Sequence, residues 1–211
     1  MFADDVREQC VSRSRVGAWQ AANDRYCLGV VRLWHSVRMT AEIPTVSLRA
    51  PRTEDASIVV AAVHASIDDL STWMPWATCD YDLGAAHAWI AGEFGDLHRF
   101  VIEVEGVFVG CCGLNQIDTI HRRANLGYWV CTEHHGRGYA TAATKLLARF
   151  ALGLGDFERV EIVAAVENVA SRRVAEKAGA IFEGIARRRI RQNGVMHDAC
   201  VFSFVRGDVV A

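Results

Sequence analysis

Several features that would place the protein in a special class are absent from the sequence. No apolar run among its 211 residues approaches the roughly 20 residues of a membrane-spanning helix. The N-terminus has no basic stretch followed by an apolar segment and a small-residue cleavage site, so no secretory signal is predicted. A net charge of −2 argues against a dedicated nucleic-acid binder. We therefore expect a cytoplasmic protein that contacts neither membranes nor nucleic acids directly.

Metal-ligand and disulfide patterns are also missing. The seven cysteines are an odd number, and none forms a Cys-x-x-Cys pair. Several lie in apolar, strand-like segments, which is typical of buried, reduced thiols. The eight histidines, including the pair His134-His135, do not stand at the spacing of a metal site. We therefore expect reduced cysteines and no bound metal.

Length and composition indicate one domain with an extension. A hydrophobic content of 51% is ample for a single core. Residues 1–40 have mixed charge and no clear period, so we expect a poorly structured or weakly helical extension there. Residues 45–206 are expected to form the folded domain.

Helical and strand patterns alternate along that domain. Strands are predicted at 45–49, 98–104, 107–114, 126–131, 160–166, 181–190 and 196–205, the last two joined by the hairpin signal Asn193-Gly194. Helices are predicted from a cap at Thr53 to a break at Trp73, from a cap at Asp82 to about 94, at 141–152 and at 170–178. Residues 115–125 are expected to form a loop or a second turn. The order predicts a mixed α/β fold, with a central mixed sheet of about seven strands flanked by helices.

A glycine-rich turn between a strand and a helix is the strongest local signal. It occupies positions 135–140 and reads His-Gly-Arg-Gly-Tyr-Ala. Free backbone N–H groups converge at a helix N-terminus, and the helix dipole adds partial positive charge. Gly136 and Gly138 allow the backbone to approach a phosphate closely. The turn therefore predicts a diphosphate site.

Two other phosphate-binding motifs fit this turn less well. A P-loop requires Lys and then Ser or Thr after its last glycine, where this chain has Tyr139-Ala140. A dinucleotide-binding turn has a third glycine, and Thr141 stands at that position. A dinucleotide-binding domain remains an alternative, which the missing glycine opposes.

The turn resembles the acyl-CoA loop of the GCN5-related N-acetyltransferases (GNAT). That family's pattern is Arg/Gln-x-x-Gly-x-Gly/Ala, and the chain departs from it only at His135. The segment 168–179 has the form Asn-x-x-Ser-x-x-Val-Ala-Glu-Lys-x-Gly and, like 193–198, resembles the RimJ/RimL-like branch that acetylates ribosomal-protein N-termini. The resemblance covers roughly residues 45–206, and it implies the GNAT fold and acetyl-CoA as co-substrate.

The resemblance also implies where acetyl-CoA binds. Its diphosphate would rest on the N–H groups of 137–141, and its pantetheine arm would lie between the strand ending at Cys131 and Asn168. The acyl-CoA site is thus expected at Trp129, Val130, Cys131, His135, Gly136, Arg137, Gly138, Tyr139, Ala140, Thr141 and Asn168.

A catalytic proton donor is implied one helical turn after Asn168. The resemblance places Ser171 near the sulfur, where its hydroxyl could protonate the leaving thiolate; the alternative is a serine that only starts a helix. Tyr139 is a second donor by residue type, but we expect it to face the loop.

The base and the acceptor site are less defined. Related enzymes often carry a glutamate at the position of Asn125, which cannot take a proton. The base is therefore expected to be an ordered water or one of Glu103, His64 and His197. The acceptor is expected to contact Trp73, Trp76 and Asn125.

These observations predict an N-acetyltransferase that acts by direct attack in a ternary complex. The expected acceptor is a protein N-terminal α-amine, a ribosomal protein being one candidate. A small-molecule amine and a non-catalytic CoA-binding module stay open as alternatives. The protein is expected to be a monomer or a homodimer.

Overall fold

The computed structural model describes residues 45–95 and 98–208, so the predicted extension at 1–40 lies outside the described residues. The strands are β1 (Val46–Arg49), β2 (His98–Val104), β3 (Val107–Asp118), β4 (Arg123–Val130), β5 (Arg159–Ala165), β6 (Ile181–Gln192) and β7 (Val195–Val205). The α-helices are α1 (Ala56–Ala65), α2 (Ile67–Trp73), α3 (Leu83–Ala91), α4 (Tyr139–Gly153) and α5 (Val169–Ala178). Short 3-10 turns lie at Thr53–Asp55 and Thr132–His134.

The seven strands form one mixed sheet in the order β1-β2-β3-β4-β5-β7-β6. All neighbours are antiparallel except β4 and β5, which are parallel. A parallel pair needs a crossover connection, and α4 supplies it. The predicted mixed α/β fold with about seven strands is therefore confirmed.

Helices cover both faces of the sheet because the side chains of successive strand residues point to opposite faces. On β3, Cys111 packs with residues of α1, α2 and α3, whereas Cys112 packs with α4 and α5. Cys111, Cys112, Cys131 and Cys200 are buried and free, as predicted, while Cys79 is free but exposed. Burial raises the pKa of Cys112 to about 12, so this thiol keeps its proton at neutral pH.

The first predicted helix is wrong in two respects. Thr53 opens a 3-10 turn and caps no α-helix, and the predicted single helix divides at Ser66 into α1 and α2. Ser66 is 2% exposed, and its Oγ accepts the N–H of Thr132 at 3.1 Å. A serine that bonds outside its helix competes with helical geometry there. Asp82 does cap α3, since its Oδ1 accepts the N–H of Ala85 at 2.9 Å.

The loop or turn predicted at 115–125 is a turn, but it is much shorter than predicted. β3 continues to Asp118 and β4 begins at Arg123, so only a tight turn separates them. Asn115 and Asn125 are opposite each other in the ladder, and Asn125 Nδ2 donates to Asn115 Oδ1 at 2.8 Å. This cross-strand bond pairs two of the polar side chains that had indicated an irregular segment.

No helix in the described ranges is long and apolar enough to cross a membrane.

Candidate active site

The two parallel strands at the centre of the sheet part at their C-terminal ends. β4 and β5 pair at three positions only, the last being Asn125 opposite Glu161. β4 continues for five more residues, 126–130, without β5 as a partner. A strand edge left unpaired in this way exposes N–H and C=O groups that can bond an extended ligand arm.

A cavity of about 140 Å³ occupies the opening. Residues of both helical layers line it: Trp73 and Met74 at the end of α2, and Asn168 and Ser171 at the start of α5. The rest of the lining comes from strands and comprises Asn125, Leu126, Gly127, Tyr128, Ile162, Val163, Ala164, Ala165, Ile190 and Gln192. Groups on opposite sides of the sheet therefore meet in one space.

The glycine turn leads from β4 into α4 with its backbone exposed. Gly136 has φ +77° and Gly138 has φ +81°, a left-handed region that favours glycine. The first bond of α4 runs from the N–H of Ala142 to the carbonyl of Gly138, and no side chain caps this end. The four N–H groups of 138–141 thus have no acceptor in the helix. A Cβ at either glycine would meet no protein atom within 4 Å, so the approach is open.

Side chains fix this turn to the rest of the site. His135 Nε2 donates to the carbonyl of Val130 at 2.9 Å, which ties the turn to the end of β4. Thr132 Oγ1 donates to Asp69 Oδ2 at 2.6 Å, which ties it to α2. Arg137 Nη2 donates to the carbonyl of Glu133 at 3.2 Å. The turn is therefore held from three directions while its glycine N–H groups stay exposed.

The Tyr139 ring packs against the loop as expected, with its centroid 6.2 Å from that of the His134 ring, and it is also buried. α4 starts two residues earlier than predicted, and Tyr139 is its first residue. Its side chain is buried in the core cluster of α4 and α5 with Ala143 and Leu147. Burial of an aromatic ring at this position fixes the start of the helix, so Tyr139 can offer a backbone N–H to the site but not its hydroxyl.

Ser171 lies at the cavity in a defined hydrogen-bond network. Asn168 caps α5, its Oδ1 accepting the N–H of Ser171 at 3.0 Å. Tyr128, on β4, places its hydroxyl 2.9 Å from Ser171 Oγ and 3.1 Å from the carbonyl of Ser171. Burial raises the pKa of Tyr128 to about 12, although the bond to Ser171 acts in the opposite direction. Tyr128 therefore holds its proton at neutral pH.

The aromatic residues expected at the acceptor side divide between two places. Trp73 lines the cavity. Trp76 does not; its ring packs 5.6 Å from Tyr81 and 6.2 Å from Trp129, between ring centroids. Trp129 is itself buried against α1–α3, so only its backbone faces the parted strands.

Two side-chain amides at the cavity have an oxygen atom without a hydrogen-bond partner among the described residues. Asn125 donates through Nδ2 to Asn115, and its Oδ1 is buried without a hydrogen-bond partner in the described ranges. Gln192 is 4% exposed; its Nε2 donates to the carbonyl of Ser71 at 3.2 Å, and its Oε1 is likewise buried and unpartnered. Buried acceptors without partners are costly, so each oxygen favours a ligand donor.

None of the three side chains considered as bases lines the cavity. His64 Nε2 bonds the carbonyl of Tyr81 at 2.7 Å. Glu103 accepts from Arg49 Nε at 2.7 Å. His197 Nδ1 lies 3.5 Å from Glu167 Oε2. The lining residues include no carboxylate and no histidine, which leaves water among the bases that we considered.

Two polar lining residues, Tyr128 and Gln192, were not among the sequence candidates. Tyr128 reads as an ordinary strand aromatic, and Gln192 as the last residue before the Asn193-Gly194 turn. The alternation of side chains along a strand could have placed Tyr128 and Val130 on the same face of the sheet. No local signal, however, connects Tyr128 with Ser171. Nor does any local signal connect Gln192 with Ser71.

Comparison with known families decides the class of the fold. The family model described as "Acetyltransferase (GNAT) domain" matches residues 45–181. The chain belongs to the GNAT acetyltransferase family. The match covers the parted strands, the glycine turn and Ser171, and it confirms both the predicted family and its N-acetyltransferase class.

The names of relatives in the family refer to different acetyl acceptors. "Putative ribosomal N-acetyltransferase YdaF" of Bacillus subtilis (strain 168) is 37% identical over 102 residues, 48% of this chain and 56% of that protein. Spermidine N(1)-acetyltransferase of Escherichia coli (strain K12) is 29% identical over 107 residues, 49% of this chain and 58% of that protein. The chain thus spans little more than half the length of these relatives.

A solved structure shares the fold over a larger part of the chain. RimJ of Mycobacterium smegmatis, in complex with a CoA disulfide, is similar with a TM-score of 0.70 and 25% identity. The superposition covers 79% of this chain and 85% of that protein. The GNAT architecture of the described domain is therefore confirmed.

Proposed function

We propose that this GNAT protein transfers the acetyl group of acetyl-CoA to a primary amine, the α-amine of a peptide or protein N-terminus, by direct attack in a ternary complex. The observation that carries the proposal is the cavity at the parted strands. It is lined from one face by Ser171 and from the other by Trp73, so a donor and an acceptor can meet within the sheet.

The residues of the site fit acetyl-CoA. The turn 136–138 and the open N-terminus of α4 offer backbone N–H groups to a diphosphate. The unpaired edge of β4 offers bonding groups to the amides of a pantetheine arm, and Asn168 closes the other side. When bound, acetyl-CoA supplies an acetyl group on a thioester, whose thiolate is a good leaving group.

Ser171 is the proton donor in this proposal. The neutral amine nitrogen bonds to the carbonyl carbon and loses one proton to water, the carbon–sulfur bond breaks, the sulfur takes a proton from Ser171 Oγ, and water returns a proton to Ser171. Ser171 Oγ can give its proton only if it is not already donating to Tyr128. In this proposal Tyr128 donates its one proton to Ser171 Oγ at 2.9 Å, and not to the Ser171 carbonyl at 3.1 Å, so that the Ser171 proton is directed at the cavity. Tyr128 acts through Ser171 and is a positioning residue.

The absence of a carboxylate or histidine from the lining predicts how the rate depends on pH. An ammonium cannot attack, so the amine must first lose its proton to water. We expect kcat/KM to rise with pH up to the pKa of the acceptor's α-amine, about 7.7–8.0, and then to level off. Because Tyr128 keeps its proton up to about pH 12, it adds no falling limb below that pH. A pH–rate profile with a short peptide acceptor measures this.

An Asn125→Ala variant tests whether the general base is a group other than Asn125. Asn125 cannot ionise, so we expect the profile to keep its slope and its midpoint. The acceptor KM should rise roughly fivefold, because one hydrogen bond to the amine contributes about 1 kcal/mol. A flattened profile would show that Asn125 takes part in the proton transfer.

The direct test of the proposed function is release of free CoA thiol from acetyl-CoA with a panel of amines. The panel contains peptides that begin with Ser, Ala or Thr, the same peptides with a blocked N-terminus, and spermidine. Transfer to the free but not the blocked peptides supports the proposal. Thiol release with spermidine alone would favour a small-amine enzyme, and binding of acetyl-CoA without release would favour a non-catalytic module.

A further inference from the structure

A second cavity of about 290 Å³ adjoins the first. The two share Asn125, Val163 and Ile190, so they meet at the unpartnered oxygen of Asn125. The remaining lining residues of the second cavity are Gln116, Arg189 and Arg191. It forms a vestibule on the acceptor side, and the charge of its wall is positive.

A bulge in β6 contains Arg189, and Arg191 follows it, paired with Met196. Ala186 pairs with Ala199 and Ile190 with His197, so three residues of β6 stand opposite Asp198 alone. Arg188, at the centre, has φ +51°, and its N–H donates to Asp198 Oδ1 at 2.7 Å. Bulges re-aim side chains and are frequent next to active sites.

The positive charge of the vestibule is not neutralised within the described domain. The side chains of Arg189 and Arg191 are exposed, and they form no hydrogen bond or ion pair with any residue that the structure describes. Neither cavity has an Asp or Glu in its lining. Several other arginines of the domain do form ion pairs, as Arg49 does with Asp55 and Arg159 with Glu183.

The first cavity, into which the vestibule leads, suits an amine: Asn125 lines both cavities and Gln192 lines the first. The unpartnered oxygens of Asn125 and Gln192 are neutral acceptors for N–H groups. Neutral acceptors do not stabilise the ammonium as a carboxylate would, so they favour loss of the proton before attack.

We propose that the acceptor is the N-terminal α-amine of an acidic peptide segment, with Asn125 and Gln192 contacting the amine and Arg189 and Arg191 contacting carboxylates at the second or third residue. This inference rests on the proposed function and narrows its substrate class. Like-charge repulsion in the vestibule disfavours a polyamine, which carries further ammonium groups and meets no carboxylate there.

The experiment compares three peptides of equal length, Ser-Asp-Glu-Ala-Tyr, Ser-Ala-Ala-Ala-Tyr and Ser-Lys-Lys-Ala-Tyr, with spermidine as a fourth acceptor. We expect kcat/KM for the acidic peptide to exceed that for the neutral peptide roughly tenfold, from two exposed ion pairs. The basic peptide and spermidine should be poorer than the neutral peptide. The preference should shrink with added salt.

The variants assign the effect to named residues. In the double variant Arg189→Gln/Arg191→Gln, the ratio of kcat/KM for the acidic peptide to kcat/KM for the neutral peptide should fall to within about twofold. Arg187→Gln is the matched control, because it removes an exposed charge from the same strand but lines neither cavity. That variant should keep the wild-type preference.

Calorimetric titration of the same peptides into the CoA-loaded protein separates this inference from the proposed function. Tighter binding of the acidic peptide that is lost in the double variant supports the vestibule assignment, whether or not acetyl transfer occurs. Equal binding of the three peptides, a preference for the basic one, or an acidic preference that survives the double variant overturns it. Absence of transfer to every amine overturns the proposed function alone.

Discussion

A Gly138→Val variant is expected to lose roughly a hundredfold in CoA affinity while keeping its fold. Gly138 has φ +81° at the start of α4. A β-branched residue there costs about 1–2 kcal/mol in backbone strain, and relaxing the strain turns N–H groups away from a diphosphate. Each charge-assisted hydrogen bond lost contributes about 1.5–3 kcal/mol. No protein atom lies within 4 Å of the added Cβ, so the core is not disturbed.

Isothermal titration with CoA and thermal unfolding measure the two parts of this expectation. Gly153→Val is the matched control, since Gly153 lies at the far end of the same helix and its added Cβ also meets no protein atom. That variant should keep its affinity within about twofold, because the helix C-terminus takes no part in anion binding.

His135→Ala separates backbone from side chain in the same turn. His135 bonds the carbonyl of Val130, so its loss loosens the turn without removing an N–H donor. We expect a loss of about 1 kcal/mol or less, near fivefold in affinity. If His135→Ala matched or exceeded Gly138→Val, the side chains and not the backbone would bind the anion.

Ser171→Ala is expected to lower kcat by roughly tenfold to a thousandfold, the range of acid–base groups. Apart from Tyr128, Ser171 is the only residue in the lining of this cavity that has a side-chain hydroxyl, and the change removes it. CoA affinity should change little, because Asn168 still caps α5 through the backbone N–H of residue 171. Single-turnover measurements separate this step from product release. An unchanged kcat would leave Ser171 as a helix-start residue.

Tyr128→Phe tests the pairing that directs the Ser171 proton. Loss of one neutral hydrogen bond should lower kcat by roughly threefold to tenfold. In the double variant with Ser171→Ala, the second change should have almost no further effect, because Tyr128 acts only through Ser171. Additive losses would give Tyr128 an independent role.

The sequence by itself determined the features that depend on neighbours in the chain. The glycine turn, the Asp82 cap and the Asn193-Gly194 hairpin each need only a few consecutive residues with the right φ and side-chain acceptors. The strand and helix patterns predicted a mixed sheet of about seven strands, and the order of the motifs indicated the family. The strands β3 and β4 were predicted too short, because the polar residues at their ends suggested an irregular segment. In the structure a cross-strand bond between Asn115 and Asn125 keeps these residues in the sheet.

Only the tertiary structure decided which side chains share the cavity. Tyr128 and Ser171 are 43 residues apart, Thr132 and Ser66 are 66 apart, and Gln192 and Ser71 are 121 apart. No local pattern encodes such contacts, because they follow from how the sheet parts and how the layers pack. The same holds for the vestibule: no local pattern connects Arg189 and Arg191 with Asn125, and the bulge opposite Asp198 places Arg189 at the cavity.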